Sequence, residues 1–422
     1  MKILNKIIDK ANLKSFGPGI WAAMGIQAIR SMGFSIAFTY LSLYLYQQRH
    51  ISMTMVGLVI LISGIIAGVF QVIGGFLADR FGLRRMFVIF QMTETMMYAV
   101  LAVLIGMNAA VWLIFTASAL VSVAGGMTAP TISALVADAA HEKHLNESFG
   151  LMAIGLNSGW AIGPIIGGFL LGHVSFAWVF GIGAVVQSLS LIAAFYLPKD
   201  GRGKTAEFFS RNYLKQFLSD KTLIVFCVLC SLLFLEMANW GSTLSVFTVA
   251  RIGFTPAQYG LLLSISAMLI IIFQYPISKR INWLGSRKAL LLGSILYSLG
   301  FFSMSWVKSF IPAVGAIVIL VIGEMLWVPT IHSAIGKMSK PEDIGKNMGI
   351  LGLCATVGNS FGPLMGGFFL DRFPTRPFQV WGPVALPALF AAVGFLLWRG
   401  YSRTDAMVNK IPSSKNQQPN KF

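Results

Sequence analysis

Twelve times along this chain the sequence runs apolar for roughly 20 residues, the length a helix needs to cross the hydrocarbon core of a bilayer. The runs lie near 19–46, 54–78, 86–107, 111–137, 148–172 and 176–197, then 222–248, 256–278, 289–307, 311–336, 347–370 and 381–399. Inside a bilayer the backbone has no water to bond to, so each run folds as a helix. Charged residues make up only 11% of the chain, where soluble domains carry about 25%. These runs predict an all-α membrane protein of twelve transmembrane helices. A polar segment, Pro198 to Lys221, divides it into an N-terminal half (1–197), a linker (198–221), a C-terminal half (222–399) and a polar tail (400–422). Ile3, Leu4, Ile7 and Ile8, interleaved with Lys2, Lys6 and Lys10, predict an interfacial helix before the first span. Phe209, Tyr213 and Phe217 place part of the linker along the membrane surface.

The formal charge of +17 would point a soluble protein toward nucleic acid, but here the basic residues gather at the span ends. With an even number of spans both termini share one side, and all but six of the 32 Lys and Arg fall on it. Positive residues favour the cytoplasm. The expectation is therefore a multi-pass protein of the inner (plasma) membrane with cytoplasmic termini, lipid as its surroundings and no nucleic-acid partner.

The halves are spelled alike. Gly150 to Gly168 carries Gly150, Gly159, Gly163, Pro164, Gly167 and Gly168; 199 positions later come Gly349, Gly358, Gly362, Pro363, Gly366 and Gly367. Pro130-Thr131-Ile132 returns as Pro329-Thr330-Ile331, while Gly57, Phe70-Gln71 and Gly82 return 203 positions later at Gly260, Phe273-Gln274 and Gly285. Glycines spaced by four line one side of a helix. In water they and the proline would weaken it; in a membrane they let helices approach closely. Two six-helix halves in the same orientation are parallel repeats.

Several functions are excluded. No G-x-x-x-x-G-K-[ST] phosphate loop supports an ATP-driven pump, and no nucleophile–base pair or metal cluster supports an enzyme. Cys227 and Cys230 form a C-x-x-C with no second pair, so a zinc or redox site lacks partners.

Between the second and third spans the chain reads G-F-L-A-D-R-F-G-L-R-R, Gly75 to Arg85. Gly75, Asp79, Arg80, Gly82 and Arg84 resemble the signature cytoplasmic loop of the major facilitator superfamily. The glycine stretch resembles the fifth-helix motif of its twelve-helix drug/proton antiporters. The resemblance implies two halves rocking around a midplane site. It also implies a gating contact between Asp79 and the facing end of the eleventh helix, near Asn347, with the glycine helices forming tight half-to-half contacts. The chain departs from the antiporters in its fourth span: Ser118 to Gly126 holds no arginine.

Of the 15 carboxylates only Glu94, Glu236 and Glu324 fall mid-span, joined there by Arg30. Charges at that depth are costly, so they face a cavity, pair, or serve transport. One arginine cannot neutralise three acids, and an excess of buried acid is what a proton-coupled carrier needs. Helical spacing puts Glu236, Asn239, Trp240, Thr243 and Phe247 on one side of the seventh span, a face suited to a lipophilic or cationic compound. Glu324, Trp327, Val328 and His332 follow similar spacing on the tenth, and Gln27, Arg30 and Phe34 share a side of the first. The fold implied by the resemblance places Arg30, Glu236 and Glu324 at its cavity. It puts Glu94 at the periphery, as the partner of Arg30 or a side-route proton site. The function expected is proton-coupled efflux of small amphipathic compounds by a monomer without cofactor, driven by the proton gradient. The alternatives are a carrier, inward or outward, for a specific metabolite, siderophore or peptide, or a non-transporting membrane sensor.

Overall fold

Among the described residues ten helices are long and apolar enough to cross a membrane. The computed structural model describes residues 16–139, 145–197, 220–339 and 344–398. The N-terminal interfacial helix, the surface segment of the linker and the polar tail lie outside the described residues. The ten are α2 (Met53–Phe81), α3 (Leu83–Gly106), α4 (Val111–Ala139), α5 (Leu145–Leu171), α6 (Phe176–Ser188, running on through Ser190–Ala193), α8 (Pro256–Leu284), α9 (Ser286–Ser303), α10 (Phe310–Met338), α11 (Ile344–Arg372) and α12 (Pro377–Leu397). The first and seventh spans are interrupted. α1 (Pro18–Ala37), its apolar run diluted by Gln27 and Arg30, passes through a 3-10 turn into Leu41–Gln47. α7 (Lys221–Met237) gives way to turns before Thr243–Val246 and a π-helical stretch, Phe247–Ile252. Among the described residues there is no strand.

Local chemistry sets the boundaries. Asp220 caps α7, accepting from the N–H groups of Thr222 and Leu223 at 3.0 and 3.1 Å. Thr255 and Gln258 form a reciprocal capping box at the start of α8, with Pro256 at its first position. The sharp reversals between α2 and α3 and between α8 and α9 need positive φ, which Gly82 (+102°) and Gly285 (+78°) supply.

The packing repeats as the sequence does. In the first half α1 packs on α5 and α6, α2 on α4, and α3 on α4 and α6. In the second, α7 packs on α11 and α12, α8 on α10, and α9 on α10 and α12. Between the halves two pairs make extensive contact, α2 with α11 and α5 with α8.

The repeated glycines divide their work. A methyl group on Gly159, Gly163 or Gly167 would collide with α1 at Ser31, Ser35 or Ile36. One on Gly358, Gly362 or Gly366 would collide with α7 or the turn after it. These six are packed within their own halves. Gly168, against Pro256 and Ala257, and Gly367, against Met53 and Thr54, are the members that face across.

The close glycine approaches between the halves lie toward one end. On α2, Gly57, Gly64 and Gly68 meet Pro363–Leu364, Ser360 and Thr356 of α11. Gly75, a heptad further along the same stripe, has nothing within 4 Å of a side-chain position, nor have Gly150 or Gly352 at that end of α5 and α11. The halves therefore close at the end remote from the termini and part at the other.

Candidate functional site

The cleft between the halves continues into two adjoining cavities of about 530 and 350 Å³, sizes typical of small-molecule sites. Trp160, Ala238, Gly241 and Asn359 line both, so the two form one chamber. Phe34, Phe38, Gln71 and Ser122 wall the larger part; Asn157, Trp240, Ser266 and Glu324 wall the smaller. The chamber is mostly apolar and aromatic, with a few amides and one acid.

The mid-span charges occupy three different settings. Arg30 and Glu94 form a buried ion pair within the first half. Nε donates to Oε2 at 3.2 Å, and Nη2 reaches both carboxylate oxygens at 3.1 Å. Nη2 also donates to the Gly125 carbonyl of α4 at 3.4 Å. The Glu94 side chain is only 2% exposed and that of Arg30 16%, and neither is among the residues lining the chamber. Arg30 thus comes from α1 to lie beside α4, the helix that carries no arginine of its own.

Glu236 is fully buried against α12, where Oε2 accepts the N–H of Ala388 at 3.1 Å and Oε1 has no partner. Glu324, half-buried, makes no hydrogen bond or ion pair among the described residues and borders the chamber. Of the three acids it alone lines it.

The shared face expected on the seventh span does not exist, because α7 ends at Met237 and the turns that follow rotate each residue differently. Asn239 is turned toward α11: its Nδ2 donates to the carbonyls of Leu235 and Glu236 at 3.2 Å, and its Oδ1 accepts from Thr243 at 2.7 Å. Phe247 packs on Trp381, ring centroids 5.1 Å apart. Only Trp240 reaches the chamber, its Nε1 donating to the Tyr297 hydroxyl at 3.1 Å. On α10, Trp327 is buried against Phe234 and Tyr297, while His332 is exposed and bonds its own helix at Val328. Of the first-span trio only Phe34 lines the chamber, and Gln27 buries an unpartnered Oε1.

Trp160, Asn157 and Asn359 are chamber residues that sequence reasoning missed. They sit inside the glycine motifs, where packing explained the pattern. Their signal was present: Trp160 and Asn359 are equivalent under the 199-residue repeat, and an asparagine inside an apolar span asks for a polar partner.

In the signature loop, Asp79 has no hydrogen bond or ion pair among the described residues, and Asn347 donates to Ser339 at 2.7 Å within its own half. Among the described residues no hydrogen bond or ion pair joins Asp79 to Asn347 in this conformation. Arg80 lies over the Phe81 ring, and Arg84 donates to the Phe195 carbonyl at the end of the sixth span, 3.1 Å away.

Known proteins are similar to this chain in sequence and in fold. The chain is 26% identical over 381 residues to an uncharacterized MFS-type transporter, YqjV, of Bacillus subtilis (strain 168), covering 87% of this chain and 90% of that one. It is 25% identical over 338 residues to multidrug resistance protein 1 of the same organism, covering 78% and 84%. Among solved structures it is similar to a point mutant of the nucleoside transporter NupG, with a TM-score of 0.77 at 14% identity over 90% of this chain and 99% of that one. The family model described as Major Facilitator Superfamily matches residues 23–323 and 229–419. That match, which spans more than half of the chain, shows that the chain is a transporter belonging to the major facilitator superfamily.

Proposed function

We propose that this transporter exports small amphipathic compounds in exchange for protons, from a cytoplasmic membrane in which both its termini face the cytoplasm. The observation that carries this reading is Glu324, a carboxyl group with no partner among the described residues, at the wall of an aromatic chamber. A carboxyl in that position can hold a proton or attract a cationic compound, and one event displaces the other when both compete for the same group. Trp160, Trp240 and Phe34 supply flat apolar surface with cation–π capacity. The kinship with multidrug resistance proteins of Bacillus subtilis agrees with this reading. A chamber closed at one end and open at the other supports alternating access.

The test uses the purified protein in liposomes enclosing a pH-sensitive dye, under an imposed proton gradient. Lipophilic cations, neutral drugs and small metabolites are added in turn. Compound-triggered proton movement, lost in Glu324→Gln and retained in Glu236→Gln, supports the proposal, and its direction separates antiport from symport. Uptake of one metabolite without proton movement would replace it with facilitated transport.

A further inference from the structure

At the closed end of the molecule a carboxylate from one half caps a helix of the other. Asp371, in the last turn of α11, accepts the backbone N–H of Met53 at 3.0 Å through Oδ1. Its Oδ2 accepts the backbone N–H and the hydroxyl of Thr54 at 2.7 and 2.6 Å. Met53 and Thr54 are the first residues of α2, so Asp371 meets the positive end of that helix and two of the N–H groups that no helix satisfies internally. The N-cap, Ser52, reaches only Met55. Gly57 and Gly367 allow this approach, since a methyl group on either would strike the opposite backbone.

The equivalent helix in the other half is built differently. α8 starts with its own capping box, Thr255 with Gln258, and needs nothing from across the interface. At the 199-residue shift the counterpart of Asp371 is Gly172. One of two related helix starts is therefore self-sufficient, and the other has its first donors satisfied only while the halves are together.

The two helices run antiparallel, as Met53 with Asp371, Gly57 with Leu364, Gly64 with Ser360 and Gly68 with Thr356 show. The same progression brings the far end of α2, with Asp79, alongside the start of α11. There the arrangement is inverted: an acid on α2 lies at the level of the N-terminus of α11, and it has no hydrogen bond or ion pair among the described residues.

Resting on the alternating-access reading, we propose that Asp371 is the positioning residue that holds the outer gate shut, a helix-capping latch that must release for the chamber to open outward. At the other end of the same pair, the contact that the resemblance to the superfamily implies for Asp79 forms as Asp371 lets go. Each conformation then leaves one helix start capped from across and the other exposed to water. A change at either acid then shifts the ratio of the two closed states.

The experiment measures distances between spin labels at Gln48→Cys and Thr375→Cys, exposed outer positions of opposite halves, in a cysteine-free background in lipid nanodiscs. Labels at Gln48→Cys and Asn108→Cys, both in the first half, report general loosening. The wild-type outer distance should be mainly short. Asp371→Ala should raise the ratio of long to short distances about tenfold, the loss expected for hydrogen bonds to a charged acceptor. Asp371→Asn and Thr54→Val should shift it less and in the same direction, and Asp79→Asn in the opposite direction. The within-half distance should stay fixed in all. Unchanged outer distances in both Asp371 variants overturn the proposal. So does a parallel broadening of both label pairs in every variant, which would make Asp371 a staple of the fold. The measurement needs no substrate. If the gate responds but no compound moves protons, the exchange reading fails and the latch stands; the reverse result removes only the latch.

Discussion

The same internal site is built once in each half and filled in opposite ways. The offsets that superpose the repeats bring Pro130 onto Pro329 and Gly82 onto Gly285, and with them Gly125 onto Glu324, Glu94 onto Tyr297 and Arg30 onto Leu233. In the first half a base from α1 and an acid from α3 neutralise each other, and Gly125 of α4 leaves room for them: a Cβ there would lie 3.3 Å from both Arg30 and Glu94. In the second half the base is replaced by Leu233 and the acid by Tyr297, which binds Trp240, and the carboxyl appears instead on α10 at the chamber wall. One half is electrostatically closed; the other keeps an acid at the wall of the chamber. A repeated fold can thus hold structure in one copy and chemistry in the other.

Breaking the pair in the first half should have the largest effect. Glu94→Gln leaves the Arg30 guanidinium buried without its counter-charge, and removing one partner of a buried pair costs about 3–5 kcal/mol. The midpoint of thermal unfolding in detergent should fall accordingly. Replacing Arg30 with Gln in the same chain should recover part of the loss, because the two changes act on one interaction. Full additivity would show that the pair is not the relevant contact.

Next comes Glu236. Glu236→Leu removes the acceptor of the Ala388 N–H and should cost about 1–3 kcal/mol, while Glu236→Gln keeps an acceptor and should cost less. Equal losses would mean that charge, and not the hydrogen bond, sets its role. Glu324→Gln should change stability least among the three acids, since no partner among the described residues loses a bond. It should nonetheless abolish compound-triggered proton movement in liposomes. A stability loss as large as that of Glu94→Gln would erase the distinction between the halves. Smallest of all, Gly125→Ala should lower the unfolding midpoint slightly, by crowding the ion pair within the limits its side chains can accommodate.

Much of the fold was legible in the sequence because a bilayer leaves few choices. Apolar length forces helices, and the glycines and prolines returning from Gly150 to Gly168 and from Gly349 to Gly367 show the duplication. The Arg30–Glu94 pairing was also within reach, since a lone base among three buried acids must find one of them. The face expected from Glu236 to Phe247 was not, because helical spacing presumes a continuous helix and α7 stops after Met237. Trp160 and Asn359 were hidden for the opposite reason: glycines spaced by four accounted for their helices as packing surfaces, and a helix has more than one side.

By itself, then, the sequence determined the class of fold, the twofold repeat and the short roster of charges that lie in the membrane, because hydropathy and periodicity act along the chain. The tertiary structure decided which acid is spent on Arg30, which is buried against a backbone N–H and which is left at the chamber. It also decided that Asp371, an unremarked residue at a helix end, caps a helix 317 positions away. Those outcomes depend on which groups meet across helices, and distance along the chain carries no record of that.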